Sequence, residues 1–169
     1  MPILGAHMSM AGGYYRAVDA AQVHGCDCVQ LFTKNNNQWK ARPIEGHEVT
    51  LFRQSLEKTG IQHTLSHASY LINLASPNDE LWKKSIDAMV IELQRADQLG
   101  IPYVVVHPGS FTSSSEQAGI KRIGKALDEI DRQARAFNSR CLLETTAGQG
   151  TNLGWKFEQL GDMLEATRC

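Results

Sequence analysis

Three segments of this sequence each close an apolar run with a side chain that can bind a metal ion. They are LSHASY at His67, VVVHPGS at His107 and LLETTAGQG at Glu144. Two imidazoles and a carboxylate are a common ligand set for zinc, with an open position left for water. A single histidine at a strand end has a plainer use, capping local backbone groups or meeting solvent. Three successive runs ending this way favour the metal, because each strand end would aim its side chain at one shared region. The other histidines fit less well. His24, His47 and His63 fall on helix, loop or mid-strand positions and read as structural. His7 also ends a run and faces the same region, but spacing gives it no partner, so it reads as a lining residue.

A second cluster follows the second apolar run. Phe32-Thr33-Lys34-Asn35-Asn36-Asn37-Gln38-Trp39-Lys40 combines amides, two lysines and an indole on what is expected to be an exposed loop. Amides and lysines suit phosphate and base-edge contacts, and aromatics can stack or wedge. An asparagine-rich stretch is equally an ordinary turn. Tyr70-Leu71 places an aromatic and an apolar residue near the same rim, where packing against the next helix is the plainer alternative.

The elements that must position these groups are short β-like runs alternating with helical segments. The runs are Ile3 to His7, Cys28 to Phe32, Gln62 to His67, Tyr103 to His107 and Cys141 to Glu144. Between the last two, Ile120, Ile123, Leu127, Ile130, Ala134 and Phe137 step by three and four, one apolar stripe on a charged helix. The preceding helix opens at Ser76-Pro77-Asn78-Asp79, with Ser76 as the expected cap and Pro77 in the first turn. It carries Ile86, Val90 and Leu93 on one side and stops at Gly100, with Pro102 just beyond. Gly25, Gly60 and Gly100 each fall between a helix and the next strand, where a left-handed residue is wanted.

Repeated strand, helix, strand units imply a parallel sheet with helices outside it. An open doubly wound sheet and a (βα) barrel are both compatible. No glycine-rich phosphate loop follows the first strand, and the polar groups gather at the C-terminal strand ends, which favours a barrel. A (βα)8 barrel typically takes about 250 residues. About five units are expected here, an incomplete barrel in one domain spanning residues 1–169 and ending before the last strands. Unpaired strand edges and exposed apolar surface should follow, favouring self-association.

Composition bounds the function. With 42% hydrophobic and 21% charged residues the chain is an ordinary globular protein rather than a disordered one. A net charge of −1 excludes a bulk basic footprint, so any nucleic-acid contact must come from a local patch. The longest apolar runs, such as Tyr103 to Val106, are far too short to span a membrane. MPILGAHMSM carries no charged leader before an apolar block, and Cys26, Cys28, Cys141 and Cys169 show no CxxC spacing. Reduced thiols in a cytoplasmic protein are expected, with no obligate protein partner evident.

In order along the chain, GAHMSMAGG, LFTKNNNQW, HASYLINLASP, VVHPGS and LLETTAGQGTNLG closely resemble the signature segments of the endonuclease IV family. The resemblance covers essentially the whole chain and the N-terminal part of that family. It implies a TIM barrel and a zinc-dependent endonuclease that cleaves DNA 5′ to apurinic or apyrimidinic sites, leaving a 3′-hydroxyl and a 5′-deoxyribose phosphate. Members hold three zinc ions at the barrel mouth. By motif, His67 and His107 match ligands of one zinc, and Glu144 matches the catalytic carboxylate bridging it to a second. The remaining ligands belong to later strands of the family. Tyr70 and Leu71 match rim residues that insert into double-stranded DNA at the lesion, and Asn37 stands where members often place an arginine that enters the duplex. Lys34, Asn35, Gln38 and Trp39 share that DNA-facing loop.

Two other readings compete with the nuclease. Related barrels use similar metal sites for sugar-phosphate isomerisation or epimerisation, but the Asn/Lys/Trp loop and Tyr70-Leu71 suit a duplex better than a sugar. The other is an inactive fragment of the endonuclease, holding one zinc weakly.

Overall fold

The computed structural model describes residues 2–168, so Cys169 lies outside the described residues. Strands and helices alternate: β1 (Gly5–His7), α1 (Tyr14–Val23), β2 (Cys28–Phe32), α2 (Gly46–Thr59), β3 (His63–His67), α3 (Asp79–Leu99), β4 (Tyr103–Val106), α4 (Glu116–Ala134), β5 (Arg140–Leu143) and α5 (Phe157–Glu165). The strands form one parallel sheet in the order β1-β2-β3-β4-β5, a partial (βα) barrel. Among the described residues, β1 and β5 are each paired on one side only.

Strand alternation divides the side chains between two faces. Val29, Leu31, Val104 and Val106 point to the helices and are buried with Val18, Phe52, Met89, Leu93 and Ile123 in the core. Leu65, His67, Tyr103, Val105 and Leu142 share the other face by their register. There Tyr103 and Leu142 stay exposed, as expected for an unclosed sheet.

The α4 stripe is buried as its spacing predicts, from Ile120 through Ala134. Phe137 lies beyond the helix and packs partly against the core. Gly60 and Gly100 end α2 and α3 in the left-handed conformation, at φ 74° and 78°. One cap differs from expectation. Asn78, not Ser76, caps α3 by accepting from Leu81 N–H at 2.8 Å. The Ser76 hydroxyl instead accepts from Asn78 N–H at 3.2 Å, so it shapes the turn that delivers the cap.

Candidate metal centre

Backbone ladders carry each candidate ligand just past, or at, the end of its strand. His67 is the last residue of β3, in register with Phe32 and Val105. His107 and Glu144 stand one residue beyond β4 and β5, slightly later than the sequence runs suggest. The pairing nevertheless continues, because Glu144 N–H donates to Val106 O at 2.9 Å and Ala68 N–H to Val105 O at 2.8 Å. Period-two alternation then puts all three side chains on the same face of the sheet.

They converge. One ligand atom from each of His67, His107 and Glu144 lies within 4.8 Å of the other two. Glu144 Oε2 stands 2.8 Å from His67 Nε2 and 3.5 Å from His107 Nε2. His67 is buried, while the side chains of His107 and Glu144 are 42% and 40% exposed, so the group opens to the rim. His67 Nδ1–H donates to the Ala68 carbonyl at 2.8 Å, which fixes the tautomer of the neutral ring. With the ring neutral, its Nε2 turns a lone pair on a carboxylate oxygen, a contact that either a proton on that nitrogen or a shared cation reconciles. That donor set fits a divalent ion preferring nitrogen and oxygen ligands, such as zinc. Among the described residues this is the one His/Cys/Asp/Glu group arranged for a metal.

The loops behind the ligands are tied together by one amide. Asn73 Oδ1 accepts from Ser110 N–H at 2.9 Å and Ala75 N–H at 3.1 Å, and its Nδ2 donates to Ser110 O at 3.0 Å. Leu153 N–H donates to Gly109 O at 2.9 Å, and Thr146 N–H to Gly154 O at 3.0 Å. The segments following β3, β4 and β5 thus form one frame around a cleft of about 550 Å³, lined by Tyr70, Asn73, His107, Ser110, Thr145 and Gln149. Asn73 was invisible to strand-end reasoning; its only signal is a polar residue set among apolar ones in YLINLAS.

The other expected site residues divide. His7 lines the site: its Nδ1–H donates to Gln30 Oε1 at 2.9 Å, and its ring lies 4.4 Å from Phe32 and 6.4 Å from His67. Tyr70 is 59% exposed, with its ring 5.5 Å from that of His67. Leu71 is half-buried beside it, and Asn35, Asn37 and Gln38 are exposed.

Two members of the second loop are not free at its surface. Lys34 is buried, its ammonium 3.3 Å from Glu92 Oε1 and donating to Gln38 O at 2.7 Å. A charge held inside in this way does not neutralise a phosphate outside. Trp39 is half-buried against the core, with the Lys84 ammonium 4.4 Å from its ring centroid, so it anchors the loop rather than projecting from it.

Fold and site together define a partial barrel that gathers a His/His/Glu group able to hold a metal ion at the C-terminal ends of its strands. The chain belongs to the xylose isomerase-like TIM barrel family, whose model matches residues 18–168. It is 46% identical over 167 residues to a probable endonuclease 4 of Geobacter sp. (strain M21), covering 99% of this chain and 59% of that protein. Against a probable endonuclease 4 of Chloroflexus aurantiacus the identity is 47% over 165 residues, covering 98% of this chain and 58% of the relative. The chain therefore spans under two thirds of the length of these relatives. Endonuclease IV from Thermus thermophilus superposes with a TM-score of 0.85 at 36% identity, over 98% of this chain and 60% of that one. A D-tagatose 3-epimerase-like protein superposes at 0.73 with 17% identity, a likeness of fold alone. Among the described residues no helix is long and apolar enough to cross a membrane.

Proposed function

We propose that this chain carries part of the catalytic face of a zinc-dependent endonuclease that cuts double-stranded DNA on the 5′ side of abasic sites. The observation that supports this most is the convergence of His67, His107 and Glu144 within 4.8 Å, at strand ends below an exposed Tyr70. Zinc at these three residues would supply Lewis acidity, activating water near neutral pH and withdrawing charge from a phosphate.

The chain's own residues supply position. His67 is oriented by the Ala68 carbonyl, and Glu144 presents its carboxylate between both imidazoles with its other oxygen left for a further cation. An abasic nucleotide is the least costly to extrude, because it has no base to unstack or unpair. Tyr70 and Leu71 would fill the gap as a wedge, while the Asn35, Asn37 and Gln38 amides meet phosphate or base edges. The same rim disfavours the sugar isomerase reading, since a small sugar offers no stacked duplex for an exposed tyrosine to enter.

The test is a duplex with one abasic site, incubated with the zinc-loaded chain, with an intact duplex and a chelated sample as controls. The expected outcome is zinc-dependent binding that favours the abasic duplex, with any cleavage falling 5′ to the lesion, leaving a 3′-hydroxyl and lost on chelation and in Glu144→Gln. Turnover of a ketose with no preference for the abasic duplex would overturn the reading.

A further inference from the structure

The two rim loops that follow β2 and β3 meet at a single buried carboxylate. Glu92, on α3, is 1% exposed. Its Oε2 accepts from the Thr33 hydroxyl at 3.1 Å, and its Oε1 accepts from Ser69 N–H at 3.0 Å and faces the Lys34 ammonium at 3.3 Å. Lys34 carries the link onward to Gln38 O, and the Ser69 hydroxyl donates to Asn36 O at 2.6 Å. One turn along the helix, Arg95 donates to Arg42 O at 2.7 Å and to Tyr14 OH at 2.9 Å. Residues three apart on a helix share a face, so α3 presents acid and base to the same loops.

Such an arrangement is costly unless fully satisfied, because a buried charge without its partner loses its solvation for nothing. All contacts of the Glu92 carboxylate fall on the two loops, rather than on the rest of the core. The exposed Asn35, Asn37 and Gln38 belong to one loop, and Tyr70 and Leu71 follow Ser69 in the other.

From this geometry we infer that Glu92 is a positioning residue that locks the 33–42 and 68–72 loops into one rigid unit, fixing the spacing between the Asn/Gln edge and the Tyr70 wedge. The inference rests on the DNA reading only for its consequence; the lock itself is independent of any ligand. Touching neither DNA nor metal, Glu92 acts through the loops.

Glu92→Gln alone would strand the Lys34 ammonium and put the whole fold at risk, so charge-free double variants carry the test. In Glu92→Leu with Lys34→Met the Lys34 ammonium is not stranded and Arg95 keeps its own oxygen partners, yet both Glu92 links are gone. Hydrogen exchange should then quicken about tenfold at amides of both loops together, the effect expected of losing a buried hydrogen bond or two, while α4 amides stay protected. In Glu92→Gln with Lys34→Met the amide can accept from Ser69 N–H and donate to the Thr33 hydroxyl, so protection in both loops should return. Loosening of one loop only, or no rescue by glutamine, overturns the lock. A second readout is affinity for abasic over intact duplex, with zinc content measured alongside. A preference that collapses in the leucine variant at unchanged zinc content supports the lock. Two loosened loops with an unchanged preference support the lock and instead overturn the assignment of these loops to DNA.

Discussion

Nε2 of His67 and Oε2 of Glu144 lie 2.8 Å apart although their residues are 77 positions apart in the chain. The contact spans β4, which lies between their strands, and it closes because His67 is held by its other nitrogen and Glu144 by the strand ladder. It is the shorter of the two contacts Glu144 makes with the imidazoles, so the first prediction concerns the metal proposed for this group.

Replacing His107 by alanine leaves two ligands for a weaker site. Zinc content by elemental analysis after dialysis should fall, and affinity should drop by more than the roughly 10- to 100-fold lost with a ligand's hydrogen-bonding partner. Equal metal in variant and parent would remove His107 from the ligand set.

Stability should depend on pH through Glu48. Hydrogen bonds from the Arg42 guanidinium, at 2.6 Å to each carboxylate oxygen, hold its pKa at about 2 against partial burial, with Glu45 N–H adding to them. A depressed carboxyl pKa stabilises the fold above the ordinary value of 4.5 and loses that contribution as pH falls toward about 2. Glu48→Gln should therefore cost on the order of 1 kcal/mol in urea unfolding near pH 7, through the lost charge toward Arg42, while the amide oxygen can still accept from Glu45 N–H. The gap should close as the pH approaches 2.

Gly109 has no room for a side chain. At φ 117°, an added Cβ would collide with Asn73 Oδ1 and stand 3.0 Å from Leu74 N and 3.1 Å from Ala75 N. Gly109→Ala should lower the melting temperature and displace His107, so metal affinity should fall with stability. An unchanged zinc affinity would show that the Asn73 frame does not hold the ligand.

Core packing of α4 is tested at Ile123, fully buried in the centre of its stripe. Ile123→Ala should destabilise by about 2–5 kcal/mol, with denaturant midpoints as the measure.

Tyr70→Ala removes an exposed ring without touching the core. If Tyr70 stacks in the gap of an abasic duplex, affinity for that duplex should fall by about 1–3 kcal/mol. Affinity for intact duplex should hold, and an equal fall for both would make Tyr70 a general contact.

Local patterns were readable where a residue's environment is set by its neighbours in sequence. The apolar steps of α4, the glycines at φ 74° and 78°, and the strand alternation that aims His67, His107 and Glu144 one way all follow from helix and strand periods. Those periods repeat every few residues and need no distant partner. By the same logic a capping side chain within three residues of a helix start could be placed only approximately, and Asn78 took the position expected of Ser76.

Tertiary structure alone decided which polar groups are available. Lys34 looked like a surface cation because its own neighbours are asparagines, yet Glu92, far along the chain on α3, holds it inside. Asn73 and Glu92 sat within otherwise apolar segments with no spacing to reveal their partners. Their roles exist only once sheet order brings loops from successive strands together, since a buried polar side chain is defined by what satisfies it, and that partner is chosen by the fold.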